Sequence, residues 1–269
     1  MSQQISLATF SESAAENYER YFVPAIGAPL AADLVQLAAL RPGERVLDVA
    51  CGTGVAARHA LARVGDGGRV VGTDVNAAML AVARAAIPGL GASDWYEASA
   101  DDLPLPDETF DVVLCQLGLQ FFADKPAAAR ELHRVLVRGG RLFVNVPGST
   151  PALFAELEDA LARHLGPEVA GFVRAVFSLY EPAELREFLS GAGFEQVKAR
   201  SNVVTLRLTA PEDFLWQYVH STPLGAAVAQ LDEEGCAALQ REVVAAWQPF
   251  TDDGTLILQV GITNASARK

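Results

Sequence analysis

A carboxylate followed by a turn of small residues is the feature of this sequence with the clearest chemical meaning. Asp48 lies in the apolar segment 46–49, and the small residues 50–54 (Ala-Cys-Gly-Thr-Gly) follow it directly. Glycines let the backbone turn sharply and approach a ligand closely. The N–H groups of a helix that begins at Thr53 or Gly54 point into the same space. The pattern therefore predicts a strand, a cofactor-binding loop and a helix.

Two classes of cofactor are compatible with the glycines of this loop. Residues 52–57 match the dinucleotide-binding pattern G-x-G-x-x-A. Asp74 follows about 20 residues later, where a dinucleotide-binding fold places the acid that binds the ribose. Taken alone, these residues would favour NAD and an NAD(P)-dependent oxidoreductase.

The charge of Asp48 favours a different cofactor. A carboxylate at the mouth of the first strand repels a pyrophosphate and attracts a cationic group. S-adenosylmethionine (SAM) has an amino group, a sulfonium and no phosphate. The alternative role for Asp48 is structural, as an acceptor of hydrogen bonds from neighbouring loop amides.

The segments around this loop alternate between strand and helix patterns. Strands are predicted at 45–50, 69–74, 93–98, 110–115 and 141–146, and helices at 53–64, 76–86 and about 125–138. Asp124 is the expected N-cap of the last helix, and the pair Gly139-Gly140 is expected to end it. The alternation predicts a doubly wound, mainly parallel α/β sheet with right-handed crossovers. Ligands bind such sheets at the carboxyl ends of the strands, and Asp48 lies at one of these ends.

The first forty residues read as a helical cap that precedes the sheet. Ser11 is the expected cap of a first helix, and Pro24 is expected to interrupt it. This region carries three aromatic side chains, Tyr18, Tyr21 and Phe22. They either pack against the main core or form a roof over the cofactor or substrate.

The second half of the chain is predicted to cover the sheet rather than to form a separate domain. Helices are expected at 151–164, 167–180, 181–191, 211–220 and 232–248, and strands at 194–208 and about 255–265. We therefore expect a single α/β domain, 1–269. It divides into an N-terminal helical cap (1–40), a cofactor-binding core (41–148), cap insertions (149–180 and 209–250) and closing elements (181–208 and 251–269). Most cap aromatics are expected to pack internally, and a few to form an apolar pocket.

Composition excludes several classes of partner. The chain has 269 residues and a formal net charge of −12, and it lacks the clustered Lys and Arg that nucleic acids require. We expect no apolar run to be long enough to span a membrane, and the N-terminus lacks a signal-peptide pattern. The three cysteines are scattered, which favours a reducing cytoplasm and argues against a metal site.

Four stretches, taken in order, resemble the motifs of the class I SAM-dependent methyltransferases. They are similar to those of the small-molecule, UbiE-like or "type 11" members and cover roughly residues 40–147. The stretches are 46–54 (VLDVACGTG), 70–76 (VVGTDVN) with Met79, 98–107 (ASADDLPLPD) with 109–114 (TFDVVL), and 134–142 (RVLVRGGRL).

The resemblance implies a role for each of ten residues along the cofactor. They are Asp48, Ala50 and Gly52 at the methionine part, Asp74 at the ribose, Val75 and Met79 at the adenine faces, Ser99 and Ala100 at the adenine edge, and Cys115 and Gln116 beside the methyl group. Two positions depart from the family pattern, because Ala50 replaces a glycine and Ser99 replaces a common Asp. Asp101 or Asp102 could compensate for Ser99.

The function implied is methyl transfer from SAM to a small, fairly hydrophobic organic acceptor, by in-line attack on the sulfonium methyl. Proximity and orientation can supply roughly 7–11 kcal/mol in such a reaction. A general base is needed only if the acceptor loses a proton, and His220 is the candidate, with a structural histidine as the alternative. Gln116 and Gln120 could orient the acceptor. A non-catalytic SAM-fold binding protein is the further alternative.

Overall fold

One mixed β-sheet forms the centre of the molecule. The computed structural model describes residues 11–91, 94–179 and 181–269. The described strands are β1 (Arg45–Val49), β2 (Arg69–Asp74), β3 (Trp95–Glu97), β4 (Phe110–Gln116), β5 (Leu136–Pro147), β6 (Glu195–Arg207), β7 (Thr251–Asp252) and β8 (Thr255–Arg268). Their order is β3-β2-β1-β4-β5-β8-β6, with β7 paired to β8 outside this order. Strands β1 to β5 pair in parallel and β8 is antiparallel to β5 and β6, so the prediction of a mainly parallel sheet is confirmed.

Helices cover both the sheet and its carboxyl edge. They are α1 (Glu12–Asn17), α2 (Ala28–Ala38), α3 (Val55–Val64), α4 (Ala77–Ala86), α5 (Lys125–Val135), α6 (Ala152–Leu165), α7 (Pro167–Val176), α8 (Pro182–Gly191), α9 (Pro211–His220), α10 (Leu224–Val228) and α11 (Glu233–Trp247). Side-chain caps begin α4 and α5, two of the helices that follow parallel strands. Asn76 accepts a hydrogen bond from the Met79 N–H at 3.0 Å, and Asp124, as predicted, accepts one from the Ala127 N–H at 2.8 Å.

The end of α5 differs from the prediction. The helix ends at Val135 rather than near residue 138, and β5 begins at once with the buried Leu136. Leu136 pairs with Phe110, and after a register shift the ladder resumes at Arg141. Gly139 adopts a φ of +76° within this irregularity. The two glycines therefore form a bulge in the strand instead of ending the helix, because burial of Leu136 extends the sheet.

Three other boundaries shift without changing the architecture. The last strand continues to Arg268 instead of ending near 265, since it pairs with β5 along its whole second half. The helix predicted at 167–180 ends at Val176, and Tyr180 lies outside the described residues. The strand predicted at 93–98 is described as Trp95–Glu97, and residue 93 also lies outside the described part.

The N-terminal region is one continuous helical stretch from Glu12 to Ala38. The Ser11 hydroxyl caps it as predicted, accepting from the Ala14 N–H at 3.2 Å. Pro24 does not interrupt the helix, contrary to expectation, because the chain forms a π-helix between α1 and α2. Proline cannot donate to the regular helical ladder, and the wider π-helical turns absorb the missing bond.

This N-terminal stretch is also the one described helix that has the length and apolar composition needed to cross a membrane. It spans 27 residues, and 44% of its most apolar window is buried inside the protein. The expectation that no segment reaches spanning length is therefore wrong for Glu12–Ala38. Its buried face packs through Leu30 and Leu34, in the way of a core helix.

The cap helices share one hydrophobic core with the N-terminal stretch and the outer half of β8. Trp247 of α11 is fully buried in it, and its indole N–H donates to the Leu153 carbonyl at 2.8 Å. Ile26, Phe214 and Leu258 belong to the same cluster. Beyond the end of β5, residues 257–261 of β8 pair with β6, and Thr255 and Leu256 pair with β7. These strands therefore extend the sheet into the cap.

Candidate active site

Asp48 lies inside the protein, beneath the loop at the carboxyl end of β1. Its side chain is fully buried, and Oδ2 accepts a hydrogen bond from the Ala57 N–H at 2.8 Å. Ala57 is in the first turn of α3, where backbone N–H groups lack partners within the helix. The structural role considered for Asp48 is thus real for one oxygen. The other oxygen, Oδ1, is buried and accepts no hydrogen bond from any described residue.

The protonation of Asp48 reflects this environment. Burial raises the pKa of the carboxyl to about 7, and the nearby Asp74 charge adds to the increase, while the Ala57 N–H opposes it. A buried carboxylate with one unpaired oxygen is stabilised by a proton or by a cation. The site is therefore suited to a positively charged donor.

A small cavity adjoins Asp48. It measures about 20 Å³ and is lined by Tyr18, Asp48, Ala50, Cys51, Gly52, Val55, Ala56, Gln116 and Leu117. The Gln116 Nε2 donates to the Gly27 carbonyl at 2.7 Å, whereas its Oε1 is buried and receives no donor from the described parts of the chain. Two lining residues, Asp48 and Gln116, therefore contribute acceptors that still lack donors, as an ammonium group would require.

The loop backbone is held in left-handed conformations. Ala50, Gly52 and Gly54 have φ angles of +54°, +53° and +82°. A Cβ on Gly54 would lie 2.8 Å from Ile87 Cδ1 and 2.9 Å from the Trp95 ring, so only glycine fits there. Ala50 tolerates its conformation, although glycine is favoured in this region.

Asp74 joins the loop to the next turn. At the end of β2, its Oδ2 accepts from the Gly52 N–H at 2.8 Å and its Oδ1 from the Asn76 N–H at 2.9 Å. Burial raises the pKa of this carboxyl. The Val75 N–H is a third backbone donor to this carboxylate. A carboxylate can accept about four hydrogen bonds, so acceptor capacity remains on Asp74 for a ligand.

The residues expected at the adenine lie beyond Asp74. Val75 has an exposed side chain, 48% accessible, whereas Met79 is buried in α4. Asp74 pairs with Glu97 in the parallel β2–β3 ladder, and the Ala98 N–H donates to the Asp74 carbonyl at 3.0 Å. The exposed Ser99 and the buried Ala100 follow directly, so the chain brings Val75 and the predicted edge residues to adjacent strand ends.

Two charged side chains of α5 hold the loop that follows Ala100. Arg134 donates to the carbonyls of Leu103 and Leu105 at 3.0 and 2.8 Å and to Asp107 at 2.6 Å. Glu131 accepts from the Leu103 N–H at 2.9 Å and from the Arg134 guanidinium at 2.7 Å. These contacts fix the path of the loop, a role that the sequence reasoning missed.

The two residues expected beside the methyl group, Gln116 and Cys115, lie in different environments. Gln116 and the following Leu117 line the cavity, but Cys115 is fully buried and is not among the described lining residues. Burial, with the Asp48 charge, raises the pKa of the Cys115 thiol to about 12. The sequence reasoning also missed Asn145, whose Oδ1 accepts from the Leu117 N–H at 3.1 Å. Its signal was a lone amide inside the apolar strand β5.

His220 is at the end of α9, above the N-terminal stretch. Its exposed imidazole stacks on Trp216 with 5.9 Å between the ring centroids, and its carbonyl accepts from Asn17 Nδ2 at 3.4 Å. Its role as a base stays a prediction.

Within the described residues, no group of three or more His, Cys, Asp or Glu side chains could hold a metal ion.

Comparison with known proteins gives these geometric features a context. A family model described as "Methyltransferase domain" matches residues 47–144. The ubiquinone/menaquinone biosynthesis C-methyltransferase UbiE of Shewanella frigidimarina is 35% identical over 179 residues, covering 61% of this chain and 71% of that protein. UbiE of Xanthomonas oryzae pv. oryzae is 44% identical over 113 residues, or 41% of this chain and 45% of that protein.

Solved structures show the same fold. A SAM-dependent methyltransferase of Thermotoga maritima has a TM-score of 0.57 at 21% identity, covering 96% of this chain and 98% of that one. Phosphoethanolamine N-methyltransferase 2 of Haemonchus contortus, in complex with SAM, has a TM-score of 0.61 at 17% identity, covering 98% of this chain and 58% of that one.

Proposed function

Because the chain belongs to the UbiE-like class I SAM-dependent methyltransferases, we propose that it uses the Asp48 loop to bind SAM and methylates a small, fairly hydrophobic acceptor. Methyl transfer from SAM is the activity of the family, so the dinucleotide interpretation of the glycine pattern is rejected. The assignment of individual residues and of the acceptor is our proposal.

The observation that supports this use of the loop is the unpaired oxygen of Asp48. It is buried, it accepts no hydrogen bond from any described residue, and it belongs to a residue that lines the cavity. The ammonium group of the methionine part of SAM would supply both the missing donor and the missing positive charge. The backbone at Ala50 and Gly52 would border the same part of the cofactor.

The remaining cofactor contacts follow the strand ends. Asp74 would bind the ribose hydroxyls through the acceptor capacity that its backbone hydrogen bonds leave. The exposed Val75 would cover one face of the adenine and Met79 the other. Ser99 and the Ala100 backbone would meet the adenine edge, and Gln116 would border the methyl group, with Cys115 packed beneath it.

When bound, SAM supplies a methyl group that its sulfonium already activates. The chain's own contribution is to orient the acceptor and exclude water. The buried Cys115 thiol near the methyl end does not serve as a base, because its raised pKa keeps it protonated. This favours an acceptor that needs little or no help from a base, with His220 as the predicted base where one is required.

The acceptor class is inferred from the cap and from the relatives. The cap core is rich in aromatic and aliphatic side chains, which suits an apolar acceptor. The matched relatives are named as C-methyltransferases of ubiquinone/menaquinone biosynthesis. We propose an acceptor with an aromatic ring of the quinone type. The net charge of −12 argues against nucleic acid, and we propose that the enzyme works in the cytoplasm without membrane contact.

The proposal is tested in two steps. Calorimetry with SAM, S-adenosylhomocysteine (SAH) and NAD should show binding of the first two only. Methyl-labelled SAM should then transfer its label to apolar phenols or quinols rather than to peptides or nucleic acid. NAD binding without SAM binding would refute the cofactor assignment, and SAM binding with label only in polar acceptors would refute the acceptor class.

A further inference from the structure

The π-helical segment Tyr18–Gly27, here called the roof segment, lies over the methionine end of the proposed SAM site. Tyr18 lines the same cavity as Asp48 and Gly52. Its Cε1 atom lies 3.9 Å from the position that a Cβ on Gly52 would occupy. At the other end of the segment, the Gly27 carbonyl accepts from Gln116 Nε2 at 2.7 Å.

The roof segment leaves too little room beneath it for the cofactor. The cavity of about 20 Å³ holds about one water molecule. Ligand sites for molecules of cofactor size measure roughly 300–1,000 Å³. The strand β1 and the glycine loop are held in the core of the sheet. We therefore expect the roof segment, rather than the loop, to move when the cofactor enters.

An ion pair to α3 is one of the polar contacts that hold the roof segment. Glu19 forms an ion pair with Arg58 of α3 at 2.7 Å, and the two side chains are 22% and 40% exposed. Glu19 Oε2 and Arg58 Nε are buried and meet no hydrogen-bond partner in the described part of the chain. The preceding Asn17 reaches the His220 carbonyl at a long 3.4 Å. A partly exposed ion pair contributes little to stability, so the Glu19–Arg58 contact can open and re-form.

The Tyr18 ring has the chemistry to face a cation. It stacks on Phe22 with centroids 4.5 Å apart. Burial, with the Asp74 and Glu19 carboxylates, raises the pKa of its phenol, so the hydroxyl stays protonated and is not a base. The electron-rich face of a neutral aromatic ring attracts cations, and the sulfonium of SAM is one.

We propose that Tyr18 is a cofactor-contacting residue on a movable roof segment, which opens to admit SAM and closes to place the Tyr18 ring against its methionine–sulfonium end. The inference rests on the proposed function, because it requires that the cavity is the SAM site. It adds a residue and a motion that neither the motifs nor the family match assigns.

The motion is tested by stopped-flow SAM binding to the full chain, followed by tryptophan fluorescence. The observed rate should saturate with SAM concentration, because opening becomes limiting. Glu19→Gln removes the ion pair and should raise the plateau rate about fivefold, on the scale of such pairs. Glu16→Gln, at an exposed position of α1, is the matched control and should leave the plateau unchanged.

The contact is tested by comparing SAM with SAH, whose sulfur is neutral. Tyr18→Leu keeps apolar bulk but removes the ring, and should weaken SAM about tenfold while weakening SAH little. Tyr18→Phe keeps the ring and should preserve the preference for SAM. Thermal unfolding checks that each variant folds.

The outcomes separate this inference from the proposed function. If the wild-type chain binds no SAM, the proposed function fails. If SAM binds with rates that rise linearly and are unaffected by Glu19→Gln, the roof motion is overturned. If Tyr18→Leu weakens SAM and SAH equally, the contact with the sulfonium is overturned.

Discussion

The methionine end and the adenine end of the proposed site are built in different ways. At the methionine end, the fully buried Asp48 and the Gln116 amide present unpaired acceptors under the roof segment. At the adenine end, Val75 is 48% exposed. The neighbouring loop is held in place by hydrogen bonds with Arg134 and Glu131 of α5. The methionine end therefore recognises charge in a buried space. The adenine end offers an exposed surface whose loop is positioned by side chains behind it.

This difference predicts how substitutions distribute along the cofactor. Electrostatic interactions strengthen as water is excluded, so changes at the methionine end should be large and pH-dependent. Changes at the adenine end act through area and loop order, so they should be small and independent of pH near neutrality. Asp74 contacts both the Gly52 loop and the Asn76 turn, and its effect should lie between the two.

The largest effect is expected for Asp48→Asn. The substitution keeps the size of the side chain and an oxygen for the Ala57 N–H, but it removes the charge that would pair with the ammonium of SAM. Loss of a buried charge partner costs roughly 3–5 kcal/mol, so calorimetry at pH 8 should show SAM binding weakened by at least 100-fold.

Asp111→Asn is the matched control for Asp48→Asn. Asp111 pairs with Arg45 at the start of β1, at 2.9 Å, which is the opposite edge of the sheet. This variant should bind SAM as the wild type does. Equal SAM affinity in the Asp48→Asn variant would show that the ammonium is bound elsewhere.

The next effect is expected for Asp74→Ala. Loss of charged hydrogen bonds to the ribose should weaken SAM by roughly 1.5–3 kcal/mol. A SAM analogue without the ribose 2′-hydroxyl separates this contact from disorder of the loop. In the wild type the analogue should bind more weakly than SAM, and in the variant the two should bind alike. A persistent preference for SAM in the variant would place the ribose contact on other residues.

The pH dependence of SAM binding sharpens the comparison without a substitution. Because the pKa of Asp48 in the free protein is about 7 and SAM pairs with the ionised form, affinity should fall about tenfold per pH unit well below pH 7. Calorimetry between pH 5.5 and 7.5 measures this slope. A flat profile would indicate that Asp48 does not carry the ammonium contact.

The same pKa determines a change in stability. The folded state holds the Asp48 proton to a higher pH than the unfolded state, where the pKa is about 3.9. Between about pH 4 and 7 the folded state therefore binds more protons, and this group's contribution to the free energy of unfolding falls as pH rises. The fall should level off above pH 7. Denaturant unfolding of the ligand-free wild type and of the Asp48→Asn variant isolates this contribution, and the stability of the wild type minus that of the variant should fall between about pH 4 and 7.

The parts of the site that could be predicted lie within short segments. Asp48, the loop to Gly54 and Asp74 follow from residues that are adjacent in sequence, because a strand end and a helix start fix their geometry locally. The alternation of strands and helices gave the sheet class for the same reason. Local rules also misled, since Pro24 was expected to end a helix and is instead accommodated in π-helical turns.

The parts that could not be predicted depend on packing between distant segments. Gln116 reaches Gly27 across 89 residues of sequence, and Asn145 reaches the Leu30 carbonyl across 115. Nothing in the neighbouring residues specifies these pairs. The role of Arg134 could not be predicted for the same reason. Its family motif was visible in the sequence, but its partners in the loop, the Leu103 and Leu105 carbonyls and the Asp107 carboxylate, were not.

The smallest effect is expected for Arg134→Lys, at the adenine end. Lysine keeps the charge but cannot bridge the Leu103 and Leu105 carbonyls and two carboxylates at once. Greater freedom of the loop should weaken SAM about threefold to fivefold, on the scale of one ordinary hydrogen bond, with the same ratio at pH 6.5 and 8. Arg138→Lys is the control. The Arg138 side chain is 92% exposed, and its Nε lies a long 3.6 Å from Glu108 Oε1, and such pairs contribute little. A loss that grows as the pH falls, or one as large as that of Asp48→Asn, would mean that the two ends of the site are not independent.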